Sequence, residues 1–213
     1  MSLIEIHLAS VDEVLKTARS VRRKLDLDRH VSDQTILDCI QIATQAPVAL
    51  GGENWRFLLI RSEEKKKQIA ATYREVMTQL TEERGISIKK THRSLMDNMA
   101  SMPCLILVFA IGEPGEKIST QTAFYGSVLP AAWSLMLALR ARGLGTTWTT
   151  LLSSRQEEIR EILNVPDGVT HTVMFPVAYT KDAVMKPADR VAPEQVTYLD
   201  RWDNQIGQVP SAS

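Results

Sequence analysis

From Gln121 to Arg142 the sequence reads as one long helix whose middle is apolar on every side, carrying Val128, Leu129, Trp133, Leu135, Met136, Leu137 and Leu139. A helix without a polar face has to be covered all round, either inside a core or between subunits. Gly143 and Gly145 end it, and Thr146 to Thr150 is β-prone. Its longest apolar run, Val128 to Leu139, is interrupted by Pro130 and Ser134 and falls short of the roughly 20 residues that span a bilayer. The N-terminus, MSLIEIHLASVDE, has early acidic residues and no sustained apolar core, so it does not read as a secretory signal. No membrane partner and a cytoplasmic location are the resulting expectations.

The other apolar patterns arrange themselves around this helix. Ser10-Val-Asp-Glu13 reads as a capping box opening a helix that ends near Arg19 to Arg23. Ser32 opens a second, with Val31 placed to staple onto Ile36 and Ala46-Pro47 to stop it. Trp55 to Ile60 looks like a buried strand, Glu63 to Arg84 an amphipathic helix, and His92 to Ser101 a short helix. Cys104 to Ile111 is apolar almost without a break, as suits a central strand covered on both faces. Ser154-Arg-Gln-Glu157 reads as a second capping box, and Val173 to Tyr179 as a last strand whose Pro176 argues for an edge or a bulge. Lys181 to Ser213 is polar, rich in proline and too long for a loop, so it reads as an arm lying on another surface. This order is not the βαβ alternation of a doubly wound nucleotide-binding fold.

Composition excludes several functions. With 25 basic and 25 acidic residues the net charge is +0, so no global field recruits nucleic acid or an anionic membrane. The 213 residues suit one domain. Cys39 and Cys104 each lie in apolar sequence and read as buried, inert thiols without zinc-ligand spacing. His7, His30, His92 and His171 form no ligand grouping, so no metal is expected. Neither GxGxxG nor GxxxxGK[ST] occurs, nor GxSxG or HExxH.

Four segments could carry chemistry. Arg19-Ser20-Val21-Arg22-Arg23-Lys24 is a basic cluster. Alone it reads as a solvated helix end meeting the helix dipole; functionally, guanidinium forks and a serine hydroxyl make an anion clamp. Ala46 to Trp55 offers small residues between a helix and a strand, which serve equally as a plain connection or as backbone able to approach a flat ligand. Gly143-Leu144-Gly145-Thr146-Thr147-Trp148 and Lys186-Pro187-Ala188-Asp189-Arg190 complete the set. A DNA-binding role for Arg19–Lys24 lacks support, since no aromatic residues interleave it and the net charge is zero.

In order and spacing the four segments resemble the nitroreductase family. Ala18-Arg19-Ser20-Val21-Arg22 stands for its Arg-Arg-Ser-x-Arg, Ala46-Pro47 through Trp55 for its Ala-Pro-Ser/Thr-x-x-Asn-x-Gln-x-Trp, and Gly143-Leu144-Gly145 for the Gly-Leu-Gly closing its long helix. Arg190 matches a basic residue that returns to the flavin phosphate. The resemblance implies an α+β fold, a mainly antiparallel sheet flanked by helices, in an intertwined homodimer with the 181–213 arm on the partner. It also implies FMN at the dimer interface, reduced by NADH or NADPH, and a small-molecule electron acceptor such as a nitroaromatic or a quinone. Arg19, Ser20, Arg22, Arg23 and Arg190 would hold the flavin's phosphate and pyrimidine side. Pro47, Val48, Ala49, Gly51 and Glu53 would pass along its ring, with Gly145, Thr150 and Leu151 nearby. No catalytic residue is implied, because the cofactor carries the chemistry.

The departures are Ala18 for the first Arg, Gly51 for Asn, Glu53 for Gln, and Leu151-Leu152-Ser153 in place of a Glu-Gly found in some members. They shift phosphate binding toward Arg190, Arg23 or Lys186 and leave Glu53 to point away or to pair with Arg56. Two other readings keep the flavin: a non-catalytic storage dimer, and a reductive dehalogenase or flavin-destroying branch, which usually adds a lid that this sequence does not clearly supply.

Overall fold

In a computed structural model, which describes residues 6–49 and 52–206, the run Cys104–Ile111 forms strand β3 at the middle of an antiparallel sheet. Its alternate residues serve two cores. Cys104, Ile106, Val108 and Ala110 pack with helices α2 (Asp33–Ala43) and α5 (Ile118–Ala141). Leu105, Leu107 and Phe109 pack with α3 (Glu63–Glu83), α4 (Lys90–Asn98) and α6 (Gln156–Leu163). A strand buried on both faces needs no polar alternation, which is why its sequence is continuous. Cys39 and Cys104 are free and fully buried, and burial pushes the Cys104 thiol up to about 11, so it stays protonated and inert.

The remaining strands are β1 (Leu25–Asp26), β2 (Trp55–Ile60), β4 (Leu144–Thr146) and β5 (Val169–Thr180), with α1 (Leu8–Thr17) outside them. Their order is β1-β5-β3-β2, with β4 also on β5. The α+β expectation and the strands at 55–60 and 104–111 are borne out. Pro176 is neither at an edge nor in a bulge: it lies in the central strand β5, opposite Leu105. Its missing N–H faces away from β3, toward the break between β4 and the Thr149–Met174 bridge, where no ladder bond is forfeited. The bulge is elsewhere in β5. Val173 pairs with Val108 and His171 with Phe109, leaving Thr172 unopposed with its hydroxyl on the Val108 carbonyl at 2.9 Å.

Both capping boxes are overturned. Helix α1 begins at Leu8 with His7 as N-cap, and Ser10 instead bonds the His7 ring at 2.7 Å. Helix α6 begins at Gln156 after a 3-10 turn, Leu151–Arg155, within which the Ser154 hydroxyl donates to the Leu151 carbonyl at 2.8 Å. Gln156 is held by the β5 bulge, accepting from His171 N–H and donating to its carbonyl, both at 2.8 Å. The Ser32 cap does form, accepting from the Thr35 N–H at 3.1 Å. Ser32→Ala should lower stability by about 1 kcal/mol, read as a shifted urea midpoint; an unmoved midpoint would remove the cap from the account.

Helix α5 is longer than the sequence pattern suggested, and its 24 residues are long and apolar enough to cross a membrane. One face is buried through Val128, Ala131, Ala132, Leu135 and Leu139; Trp133, on the opposite face, remains 41% exposed. The all-round burial expected of this helix is therefore only half met within one chain. At its end Gly143 takes φ 77°, a turn that residues with a Cβ rarely make, and β4 starts immediately after.

Candidate functional site

The Arg19–Lys24 cluster is not a helix end. Helix α1 stops at Thr17, Ala18 is extended (φ −63°, ψ 120°), and the following residues run beside β4. Ser20 bridges Thr146, the Val21 N–H donates to the Thr146 carbonyl at 2.9 Å, and Thr147 Oγ1 donates to the Val21 carbonyl at 3.0 Å. Backbone groups that a helix would have satisfied are satisfied by the sheet instead. The first and third sequence segments are thus one structural unit.

Gly145 makes that close approach possible. A Cβ on it would stand 2.8 Å from side-chain carbons of Leu25 and Thr180 and 3.2 Å from Cβ of Val21. Gly145 lines neither of the two cavities described below, and its place in this chain is one of close packing. Gly145→Val should lose about 2 kcal/mol through overpacking and push residues 20–22 off β4. Equilibrium urea unfolding measures it, and a wild-type midpoint would show that the wall yields freely.

Lys24, at φ 57°, ties this segment to the start of the C-terminal stretch: its carbonyl accepts from the Lys181 N–H at 2.8 Å, and its Nζ donates to the Asp182 carbonyl at 2.9 Å. Between the two stretches lies a cavity of about 550 Å³ bordered by Arg19, Ser20, Arg22, Arg23, Lys24 and Lys186 and, among the described residues, by no carboxylate. Concentrated cations of this kind favour an anion, and guanidinium groups favour a phosphate in particular.

Arg22 also borders a second cavity, of about 310 Å³, formed by α3, the loop after it, the start of α4 and residues 147–151. Burial lowers the pKa of its guanidinium from the ordinary value, opposed only by the Tyr73 phenol. Its Nε is buried and has no hydrogen-bond partner among the described residues. A buried donor left without an acceptor costs about 1–3 kcal/mol, which an acceptor-bearing ligand edge removes. Burial raises the Tyr73 phenol, against a hydrogen bond with Thr149, and lowers His92, with the Arg22 and Lys89 charges adding to that shift. The residues present fit a phosphate-bearing cofactor held at the basic cradle and the unpartnered donor, with the apolar cavity beside it.

Of the other sequence-derived positions, Thr150 and Leu151 line the second cavity. Pro47, Val48 and Ala49 line neither; the Ala49 N–H donates to Ser127 Oγ on α5 at 2.9 Å, and Val48 is exposed. Glu53 is exposed, and Arg56 reaches its main-chain carbonyl at 3.1 Å and that of Trp55 at 2.7 Å, so of the two alternatives for Glu53 the pairing with Arg56 is the one this chain does not make. Gly51 lies outside the described residues. Arg190 stands outside the basic cavity, with its guanidinium on the Asp189 carbonyl at 3.4 Å, and Lys186 supplies the C-terminal cation at the cavity wall. Tyr73, Lys89, Thr91 and His92 were not anticipated. For Lys89, Thr91 and His92 the one sequence signal was the basic run Lys89 to Arg93, placed where a helix start usually carries acids. Among the described residues no three His, Cys, Asp or Glu side chains gather as a metal site would require.

A family model described as the nitroreductase family matches residues 15–179. Among curated proteins, an iodotyrosine deiodinase of Thermotoga neapolitana is 27% identical over 80% of this chain and 88% of its own length. A protein of Archaeoglobus fulgidus, provisionally named NADH dehydrogenase/NAD(P)H nitroreductase, is 22% identical over 90% of this chain and 100% of its own. Among solved structures, an oxidized iodotyrosine deiodinase bound to FMN and 3-iodo-L-tyrosine matches with a TM-score of 0.65 at 22% identity, covering 87% of this chain and 98% of that one. At that identity the structural likeness speaks for the fold.

Proposed function

The chain belongs to the nitroreductase family, and from that premise we propose that it is an FMN-dependent oxidoreductase passing reducing equivalents from NADH or NADPH to an electron-poor small molecule such as a nitroaromatic or a quinone. The observation that carries the reading is Arg22, a half-buried cation with an unpartnered Nε standing between a basic cradle and an apolar cavity. When bound, FMN supplies the ring that accepts and returns a hydride. The chain's residues do the holding. Arg19, Ser20, Arg23 and Lys186 receive the phosphate, while Arg22 offers a fixed positive charge to the end of the ring that gains negative charge on reduction. The apolar walls of the second cavity exclude water from the face where reductant and acceptor lie in turn. No side chain is needed as an obligatory acid or base.

Pro47, Val48, Ala49 and Arg190 enter this reading from the partner subunit of a homodimer. The half-exposed face of α5 supports a dimer, as do the exposed apolar residues of the stretch after Lys181, among them Val191, Val196, Leu199 and the 83% exposed Trp202. Apolar surface of this extent is what a stable partner covers. A cytoplasmic location belongs to the same reading.

A reductive dehalogenation reading is favoured by one observation, the two iodotyrosine deiodinases among the relatives. The test serves both readings and also the storage alternative. Purified protein is titrated with FMN and mixed anaerobically with NADH and with NADPH, and the flavin absorbance is followed. Bleaching on a catalytic timescale, reversed by a nitroaromatic or quinone, is the expected result. Iodide release from an iodophenol would transfer the assignment to dehalogenation, indifference to both dinucleotides would leave storage, and failure to bind FMN would end the proposal.

A further inference from the structure

The 310 Å³ cavity is apolar on most sides, through Met77, Leu80, Ile86, Ile88 and Leu151, and its charged lining is of one sign. Arg22 and Lys89 carry that charge, His92 stands beside them, and among the described residues no aspartate or glutamate borders it. An engineered apolar cavity of about 150 Å³ takes one benzene, so this one has room for a substituted ring or two fused rings. One wall is the start of α4, where the exposed Lys89 marks the solvent side; Lys89 is the N-cap residue, no side chain caps the helix and the first turn holds no acid. From Arg84 to Met96 the chain carries Arg84, Lys89, Lys90, His92 and Arg93 and not one acidic residue.

Helix N-termini carry partial positive charge and ordinarily attract acids. Here the dipole and the side chains repel one another, and an anion would relieve both. His92 shows the same crowding: burial first, then the charges of Arg22 and Lys89, lower its pKa from the ordinary histidine value. A site of this polarity disfavours an ammonium group and welcomes a carboxylate or sulfonate.

We infer that the acceptor taken by this cavity is an aromatic compound of one or two rings bearing an anionic substituent, which Lys89 receives at the mouth while the ring lies among Leu80, Ile88 and Leu151. The inference rests on the oxidoreductase reading above. For a quinone of this class the reaction balances as a two-electron reduction. The quinone gains two electrons and two protons to become a hydroquinone, NAD(P)H gives up a hydride to become NAD(P)⁺, and solvent supplies the second proton.

The test uses FMN-loaded protein and a charged and neutral pair, 2-naphthoate and 2-naphthamide, as inhibitors of the reduction of menadione, a neutral quinone. The inhibition constant of naphthoate should lie about fivefold below that of naphthamide, the upper end for one charge contact at a wet mouth, and the gap should narrow in high salt. In Lys89→Gln the two constants should converge, with the Kd for FMN unmoved. Equal inhibition in the unaltered protein overturns the inference. So does a naphthoate preference that survives Lys89→Gln, or a Lys89→Gln effect that falls on FMN binding. Equilibrium dialysis of the two compounds reads the same ratio without turnover. Absence of menadione reduction would therefore count against the oxidoreductase reading, while reduction with no anion preference would sink only this inference.

Discussion

Arg22→Ala should weaken FMN binding about a hundredfold and at the same time leave the cofactor-free protein as stable as before, or more so. The two halves have one cause. Without the flavin, Arg22 is a charge that burial disfavours, with an Nε that finds no acceptor, so deleting it removes a desolvation cost rather than a bond. With the flavin, the same donors make charge-assisted hydrogen bonds of about 1.5–3 kcal/mol, and a hundredfold in Kd is about 2.7 kcal/mol. Fluorescence titration of FMN and urea unfolding of the cofactor-free protein measure the pair. Arg22→Lys should recover only part of the affinity, because an ammonium restores charge but not the planar fork. The midpoint potential of bound flavin should fall in Arg22→Ala, since the cation opposite the reduced ring is gone. An FMN affinity unchanged in Arg22→Ala would remove the residue from the site, and a large loss of stability without FMN would make it structural.

That a helix-end reading of Arg19–Lys24 gave way shows where local pattern stops being informative. The run Cys104–Ile111 and the strand Trp55–Ile60 were legible because burial on the sheet dictates their composition residue by residue. Ser32 was legible because its cap competes with nothing. The Ser10 and Ser154 motifs had the same spelling, yet Leu8 starts α1 earlier and Gln156 is held by the β5 bulge, contacts that no short window contains. Residues 20–22 find their partners at Thr146 and Thr147, far along the chain, so the extended path was invisible even though both segments had been singled out. The second cavity was hidden for a different reason. Tyr73, Met77 and Leu80 sit at helical spacing and read as core, and only the geometry shows that part of that stripe faces a cavity. Pro47–Ala49 and Arg190 were singled out by the family pattern alone, and one chain does not bring them to the cradle.

The second large effect is acid instability, and it comes from the sheet rather than from the site. His171 is 1% exposed, packed edge-on against Phe109 with ring centroids 5.4 Å apart, and burial lowers its pKa to about 4. The unfolded chain binds the proton near 6.5. Between those values the unfolded state holds more protons than the folded one, so stability rises with pH across this window. The contribution is intact above about pH 6.5, declines as pH falls, and levels off below about 4, a total of about 3 kcal/mol at 1.36 kcal/mol per pH unit. His92 is shifted in the same direction and adds to the slope, so the assignment needs a variant. His171→Phe keeps an aromatic ring beside Phe109 and cannot titrate. Its urea-derived stability should change by about 2 kcal/mol less than wild type between pH 7 and 4.5, and the wild-type His171 ring resonance should titrate near pH 4. Parallel pH profiles for the two proteins would refute the assignment. The consequence reaches the cavity, because the bulge at His171 is held by Gln156, and the turn just before Gln156 begins at Leu151 on the cavity wall. Acid that loosens the bulge should therefore weaken flavin binding before the sheet itself melts, and FMN release measured alongside unfolding at pH 5 separates the two steps.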